Sequence, residues 1–264
     1  MDLSLKRDYK STTPRLIQRH SGWVAPVSVL VVLGAWEAVA RWGGLPAFIL
    51  PSPELVLQKL AQTLADGTLE RHTLVTLGEV LAGLATGGIL AMALGYWLSR
   101  SPLVEKILSP YLVASQAVPV AAIAPLLIIW FPGVTAKVLI CALTVFFPVL
   151  INTLVGMRAV PENLRDLMRS LHATPSQMLR YLELPAALPV LLGGLRVGAT
   201  LSVIGAVVGE FVSSDRGLGF LINIGRGQFD TALVFVAIFA LMVMAMSLYG
   251  IIVLLEKRLL KWRS

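Results

Sequence analysis

Six stretches of the chain are each long and apolar enough to cross a bilayer, and that leaves few folds open. A helical crossing needs about 20 mostly apolar residues, and such runs occupy residues 22–40, 74–98, 111–130, 137–155, 190–212 and 232–255. Inside lipid each backbone N–H and C=O must find its partner within the protein, so segments of this length form helices. The expected fold class is all-α: a polytopic membrane protein with six transmembrane helices. Composition agrees, with 56% hydrophobic and 14% charged residues and a mean hydropathy of +0.80. Those values argue against a water-soluble enzyme and against a disordered chain. Pro119, Pro125 and Pro148 fall inside the third and fourth runs, where neighbouring helices can re-satisfy freed carbonyls, so kinked helices are expected there.

The net charge of +7 does not imply nucleic acid as a partner, because the basic residues are strung between apolar blocks instead of gathered on one patch. Their distribution sets orientation instead. With the N-terminus cytoplasmic, fifteen Lys and Arg fall in inside segments against six outside, Arg196 being left within the fifth run. The expected organisation is a cytoplasmic tail over 1–21, a first helix over 22–40, an extracytoplasmic segment over 41–73, a membrane core over 74–255 and a cytoplasmic tail over 256–264. Basic residues, an apolar run and Ala38-Val39-Ala40 also imitate a cleaved signal peptide, but the run is too long for an ordinary h-region. In the extracytoplasmic segment Ser52, Pro53 and Glu54 give a helix start. Val56, Leu57, Leu60 and Leu64 then make an apolar stripe that Gly67 stops.

The chain carries no phosphate loop, no zinc-binding H-E-x-x-H helix and no nucleophile elbow. His20, His72 and His172 are far apart, and Cys141 lies in an apolar run, where it reads as a small buried hydrophobe. No catalytic residue, resident metal or cofactor is expected. Ionisable groups within the runs, at Glu37, Glu79, Arg196 and Glu210, are costly there and mark candidate pathway or structural charges. Arg196 and Glu210 share a helix face but stand about 21 Å apart, at about 1.5 Å per residue, so they do not pair. Each can snorkel toward its nearer interface or line a passage. The pairs Gly83 and Gly87, Gly194 and Gly198, and Gly205 and Gly209 let helix backbones approach closely in lipid.

The connection over 156–189 is expected on the cytoplasmic side and carries the most information. Pro161 and Glu162 open a helix with Leu164, Leu167, Met168 and Leu171 on one face and Asn163, Arg165, Asp166 and Arg169 on the other. Thr174-Pro175-Ser176-Gln177 supplies an N-cap, a proline at the first helical position and a capping-box glutamine. A second helix is expected there, with Met178, Leu179 and Leu182 on its apolar face and Pro185 ending it. Two such helices can lie on anionic lipid or insert into a groove on a soluble partner. The capping chemistry fixes the angle between them, which favours rigid docking.

Asp166-Leu167-Met168, three residues, His172, nine residues, Leu182, one residue and Leu184-Pro185 reproduce the spacing of a known motif. It is the EAA loop of ATP-binding-cassette (ABC) importer permeases: EAA, three residues, Gly, nine residues, Ile-x-Leu-Pro. With LPSPELV, SQAVPVAAIAPLLIIWF, ELPAALPVLLGGLRVGATLSVIGAVVGEF and GLGFLI, the chain resembles the nitrate, sulfonate and taurine branch of that family from about Ile49 to Arg258. The resemblance implies a type I ABC importer permease bundle in the inner (plasma) membrane, forming the translocation pathway as a homodimer. It also implies an extracytoplasmic substrate-binding protein and a cytoplasmic ATPase that carries ATP and magnesium. ATPase closure would draw the loop helices together and turn the bundle outward. Asp166, Leu167, Met168, His172, Leu182, Leu184 and Pro185 would then carry coupling, without chemistry.

Asp166 replaces Glu, Leu167 and Met168 replace two Ala, and His172 replaces Gly. The bulkier pair implies a roomier pocket on the partner. A histidine in place of glycine puts the tight turn in doubt, and leaves open a tolerated substitution or a pH-sensitive one. The SQAVPV…APLLIIWF and GAVVGEF runs look closer to members assigned to riboflavin or the thiamin-precursor pyrimidine than to those assigned to taurine, sulfonate or nitrate. Two readings of other classes stand beside this one. An ion-coupled secondary transporter using Glu37, Glu79 or Glu210 would leave the loop spacing unexplained, and an intramembrane hydrolase lacks a nucleophile and base pair.

Overall fold

The structure is a computed structural model that describes residues 21–261; residues 1–20 of the expected N-terminal tail and 262–264 of the C-terminal one lie outside it. Regular structure among the described residues is helical: α1 (Ser21–Trp42), α2 (Pro53–Ala65), α3 (Thr68–Ser99), α4 (Pro102–Gln116), α5 (Val120–Trp130), α6 (Val134–Arg158), α7 (Glu162–Ser170) and α8 (Pro175–Met178). A π-helical segment, Leu179–Glu183, then leads into α9 (Leu184–Val212), α10 (Leu218–Gly227) and α11 (Thr231–Leu259). The chain divides into two units, Met1–Leu55 and Val56–Ser264.

In the first unit, α1 presents Val27, Val29, Leu30, Val31 and Val32 outward, as a helix meeting acyl chains would. Near its end Glu37 pairs with Arg41, which also reaches Glu54 at 3.1 Å, and Trp36 Nε1 donates to the Pro51 carbonyl at 3.0 Å. Glu37, read as a candidate intramembrane acid, is thus neutralised by an arginine one turn away.

The second unit is built on α6. Its buried residues Lys137, Cys141, Val145, Val149, Thr153 and Gly156 recur at helical spacing. Both α3 and α9 lie along it, and these are the most extensive packings in the unit. Glycines set the approach. Along α3, a Cβ on Gly83 would strike Cys141, one on Gly87 the backbone of Ala142, and one on Gly95 would come 2.7 Å from Cβ of Thr153. Along α9, one on Gly205 would lie 2.8 Å from Cα of Cys141 and one on Gly198 3.1 Å from Val145. The small-residue pairs read from the sequence therefore do bring helix backbones together, with α6 between them, parallel to α3 and antiparallel to α9. Where Cβ atoms are absent, dispersion contacts run backbone to backbone.

Among the described residues four helices are long and apolar enough to cross a membrane: α3, α6, the continuous run Pro175–Val212, and α11. The bent pair α4 and α5 makes a fifth if counted as one. With α1 added, six crossings remain compatible. Two expectations change. The run over 111–130 is not one kinked helix but two, bent by 92°. Pro119 has ψ 121°, outside the helical region, and a residue preceding proline avoids that region too, so α4 stops at Gln116 and α5 starts afresh. Pro185, expected to end the second loop helix, stands instead in the first turn of α9. The π segment allows this: the Leu184 N–H bonds five residues back to the Leu179 carbonyl, so the helix passes through a widened turn before the missing proline N–H is reached.

Candidate functional site

Two groups of side chains stand out, one at each end of α6. At the end where α6 finishes, the chain leaves the packed helices as α7. None of its residues is buried, and Leu164, Leu167 and Leu171 are 39%, 55% and 69% exposed. Met168 is half-buried. The opposite face is held by ion pairs: Arg169 meets Asp166 at 2.8 Å and Glu162 at 3.0 Å. Hydrogen bonds to Asp166 and then Glu162 keep its guanidinium more firmly protonated than usual. Asp166, placed at the start of the loop motif, thus braces its own helix through Arg169.

His172 resolves the doubt that its identity raises. Its φ is 55°, in the left-handed region, and the Ala173 N–H bonds to Met168 O at 3.0 Å while the His172 N–H bonds to Arg169 O at 2.9 Å. That is the Schellman pattern, which glycine ordinarily serves. The tight turn is present, and a histidine adopts it. Two residues on, the capping box is complete. Thr174 Oγ1 accepts from the Gln177 N–H at 3.3 Å, and the Thr174 N–H donates to Gln177 Oε1 at 2.8 Å. Beyond it Met178 is buried, Leu182 and Pro185 are half-buried, and Tyr181 and Leu184 are exposed. Of the seven motif positions, Asp166, Leu167, His172 and Leu184 are therefore exposed and the rest partly covered.

At the other end of α6 the charges are inside. Lys137 Nζ lies 2.6 Å from Glu79 Oε1 and 3.0 Å from Ser214 Oγ, with both charged side chains no more than 6% exposed. Glu210, 1% exposed, accepts from the Thr76 hydroxyl at 2.6 Å and from the Gly219 N–H. Thr76 in turn accepts from the Leu218 N–H at 2.8 Å, and His72 Nδ1 accepts from the Gly217 N–H at 2.9 Å with its ring stacked on Phe220. Gly217, at φ 113°, lays the backbone directly over the Glu210 carboxylate. The start of α10 is thus tied down on α3 and α9 by charged and polar groups. Arg196 takes a different partner, Glu256 of α11, at 3.1 Å.

Sequence reasoning singles out Glu79 and Glu210 but counts Lys137 as a connection charge at the mouth of a run. An acid and a base near the starts of two parallel helices signal a pair only once those helices are known to be neighbours. Glu183 falls at a variable position of the loop motif, and no local pattern marks it. It is 2% exposed and lies 2.7 Å from Arg100 Nη2.

A family model described as the binding-protein-dependent transport system inner membrane component matches residues 83–261. The chain is 48% identical over 254 residues to the riboflavin transport system permease protein RibX of Chloroflexus aurantiacus, covering 95% of this chain and 94% of that protein. It is 35% identical over 264 residues to the formylaminopyrimidine transport permease protein ThiX of Halalkalibacterium halodurans, covering 98% and 99%. Among solved structures, a chain of the MetNI methionine ABC transporter superposes with a TM-score of 0.65 at 16% identity, over 74% of this chain and 97% of that one, which shows a shared fold. The exposed loop helix, the helices apolar enough for a membrane and these matches agree: the chain belongs to the inner membrane components of binding-protein-dependent transport systems, as the permease subunit of an ABC importer whose ATP hydrolysis lies in a separate subunit.

Proposed function

We propose that this permease forms the passage for riboflavin or a thiamin-precursor pyrimidine, working as a homodimer between a substrate-binding protein outside and an ATPase that holds ATP and magnesium in the cytoplasm. Both termini and α7 lie on the cytoplasmic side, where fifteen of the basic residues gather. The observation that carries the docking is the surface of α7. Leu164, Leu167 and Leu171 project from a helix with no buried residue, and that helix is fixed by a Schellman turn on one side of Ala173 and a capping box on the other. A rigid, preformed apolar face loses little conformational entropy on docking. Asp166, Leu167, Met168, His172, Leu182, Leu184 and Pro185 form or support that face. The substrate class is supported by the relatives named for riboflavin and formylaminopyrimidine, while the loop spacing argues against the ion-coupled reading.

The test is co-purification from the native membrane in detergent, followed by uptake in proteoliposomes with the binding protein added. Wild type is expected to bring down an ATPase subunit, and a Met168→Asp, Leu171→Asp double variant to lose it while remaining monodisperse. Labelled riboflavin is then expected to enter in an ATP-dependent way that the pyrimidine competes for and taurine does not. Taurine-sensitive uptake would move the substrate to the sulfonate class. A wild-type chain that purifies alone would overturn the docking.

A further inference from the structure

Glu183 lies in the π-helical segment between α8 and α9, and arginines from two other elements, α3 and α7, converge on it. Its carboxylate meets Arg100, the residue capping the end of α3, at 2.7 Å. On its other oxygen it faces Arg165 Nε of α7 at 3.6 Å. Arg165 also donates from Nη2 to the Met157 carbonyl of α6 at 2.6 Å. Arg100 lies over the Tyr96 ring, 4.7 Å from its centroid, and Tyr96 packs with Leu179 on the buried Met157, Ala187 and Leu191.

The burial decides how to read this. A carboxylate 2% exposed costs several kcal/mol unless it is paired, so Glu183 holds its arginines in place. Those arginines belong to different bodies: Arg100 to a long membrane helix, Arg165 to the exposed loop helix. The two contacts are also unequal. Arg100–Glu183 is a hydrogen-bonded pair. Arg165 Nε at 3.6 Å has no hydrogen-bond partner, so its contact with Glu183 is the looser of the two, while Nη2 of the same guanidinium ties α7 to the Met157 carbonyl and carries displacement of the loop helix to Arg165. Because α7 contributes no buried residue, it can shift against the packed helices at little cost in apolar contact. A shift of α7 would change the field on Glu183, and through it the hold on the end of α3. The segment carrying Glu183 is the widened turn, and π turns inside helices recur at functional sites.

We infer that Glu183 is a positioning residue for transport, relaying displacement of the loop helix from Arg165 to Arg100 and so to the membrane helix α3. This rests on the proposed docking of α7 to an ATPase and adds the route by which that docking reaches the helices of the passage.

The experiment uses the assembled complex of permease, ATPase and binding protein in liposomes, and reads substrate moved per ATP hydrolysed. Glu183→Gln keeps the shape and removes the charge. The expected result is co-purified ATPase at the wild-type level, continued hydrolysis and about a tenfold fall in that ratio, the scale of an ordinary coupling energy, with part of it recovered by Glu183→Asp. If Glu183→Gln does not fold, Arg165→Met cuts the loop side of the relay while leaving Arg100–Glu183 intact; it is expected to lower the ratio similarly, and Arg165→Lys to restore part of it. A purely structural role would lower yield and leave transport per ATP unchanged, and an unchanged ratio in both variants overturns the relay. Failure of the docking itself shows differently, as a wild-type chain that purifies without an ATPase, and would overturn both.

Discussion

The two ends of α6 both bury acids on partners but treat apolar surface in opposite ways. At the Lys137 end the acids are buried, each partnered by a lysine, a hydroxyl or a backbone N–H, and the turn at Gly217 closes over Glu210. At the Met157 end Glu105 and Glu183 are likewise buried on arginines, but the loop helix leaves its leucines exposed, with Arg169 bracing it from within and Arg165 reaching back to Met157 and Glu183. The first end closes on itself through the Lys137–Glu79 ion pair, with Glu79 Oε2 left without a hydrogen-bond partner. The other leaves Leu164, Leu167 and Leu171 uncovered, as the proposed docking requires. The contrast teaches where stability and function separate: damage to the first should unfold the chain, and damage to the second should leave it folded and idle.

The severest test of that contrast is Lys137→Met, which strands Glu79 in the packed helices. Breaking a buried pair in this way costs about 3–5 kcal/mol, so no monodisperse protein is expected on size-exclusion chromatography in detergent. Normal yield would mean that the Lys137 end is not what holds α3 to α6. Next comes Gly217→Ala, where a Cβ would overlap the Glu210 carboxylate on a backbone that favours glycine. The strain is worth about 1–3 kcal/mol and should appear as a lower melting temperature with α10 first to lose hydrogen-exchange protection. On the exposed side Thr174→Ala removes one arm of the capping box and about 1 kcal/mol of local helix stability. Exchange is expected to rise in α8 alone, with the global melt unmoved. The smallest effect has the other sign. His172→Gly relieves a left-handed residue, worth about 1 kcal/mol, and should slow exchange across the turn between α7 and α8; faster exchange would show that the imidazole itself, with Nδ1 3.1 Å from Ser170 O, holds the turn.

Much of this architecture is legible in the amino-acid sequence. Hydrophobic runs locate the long helices, since backbone satisfaction in lipid leaves little else for them to do. The glycine pairs announce close approach, and Thr174 with Gln177 announces a cap. What escapes is whatever depends on two elements meeting. The 92° bend at Pro119 is invisible to a hydropathy count, because both halves are apolar. The widened turn before Pro185 escapes because a proline read locally stops a helix, and only the Leu184-to-Leu179 bond shows how it continues. Lys137 and Glu183 escape for the same reason: each matters through a residue 58 or 83 positions away.

The crowding around Cys141 has a practical use. It is the single cysteine of the sequence and is fully buried, pressed between α3 and α9 where Gly83 and Gly205 leave no spare room. A maleimide or a spin label has no way to that sulfur while the helices stay packed. The wild-type chain is therefore already a silent background for site-directed labelling: a cysteine introduced at an exposed position such as Leu171 would be the sole reporter, and the movements of the loop helix could be followed by spectroscopy without first engineering the native thiol away.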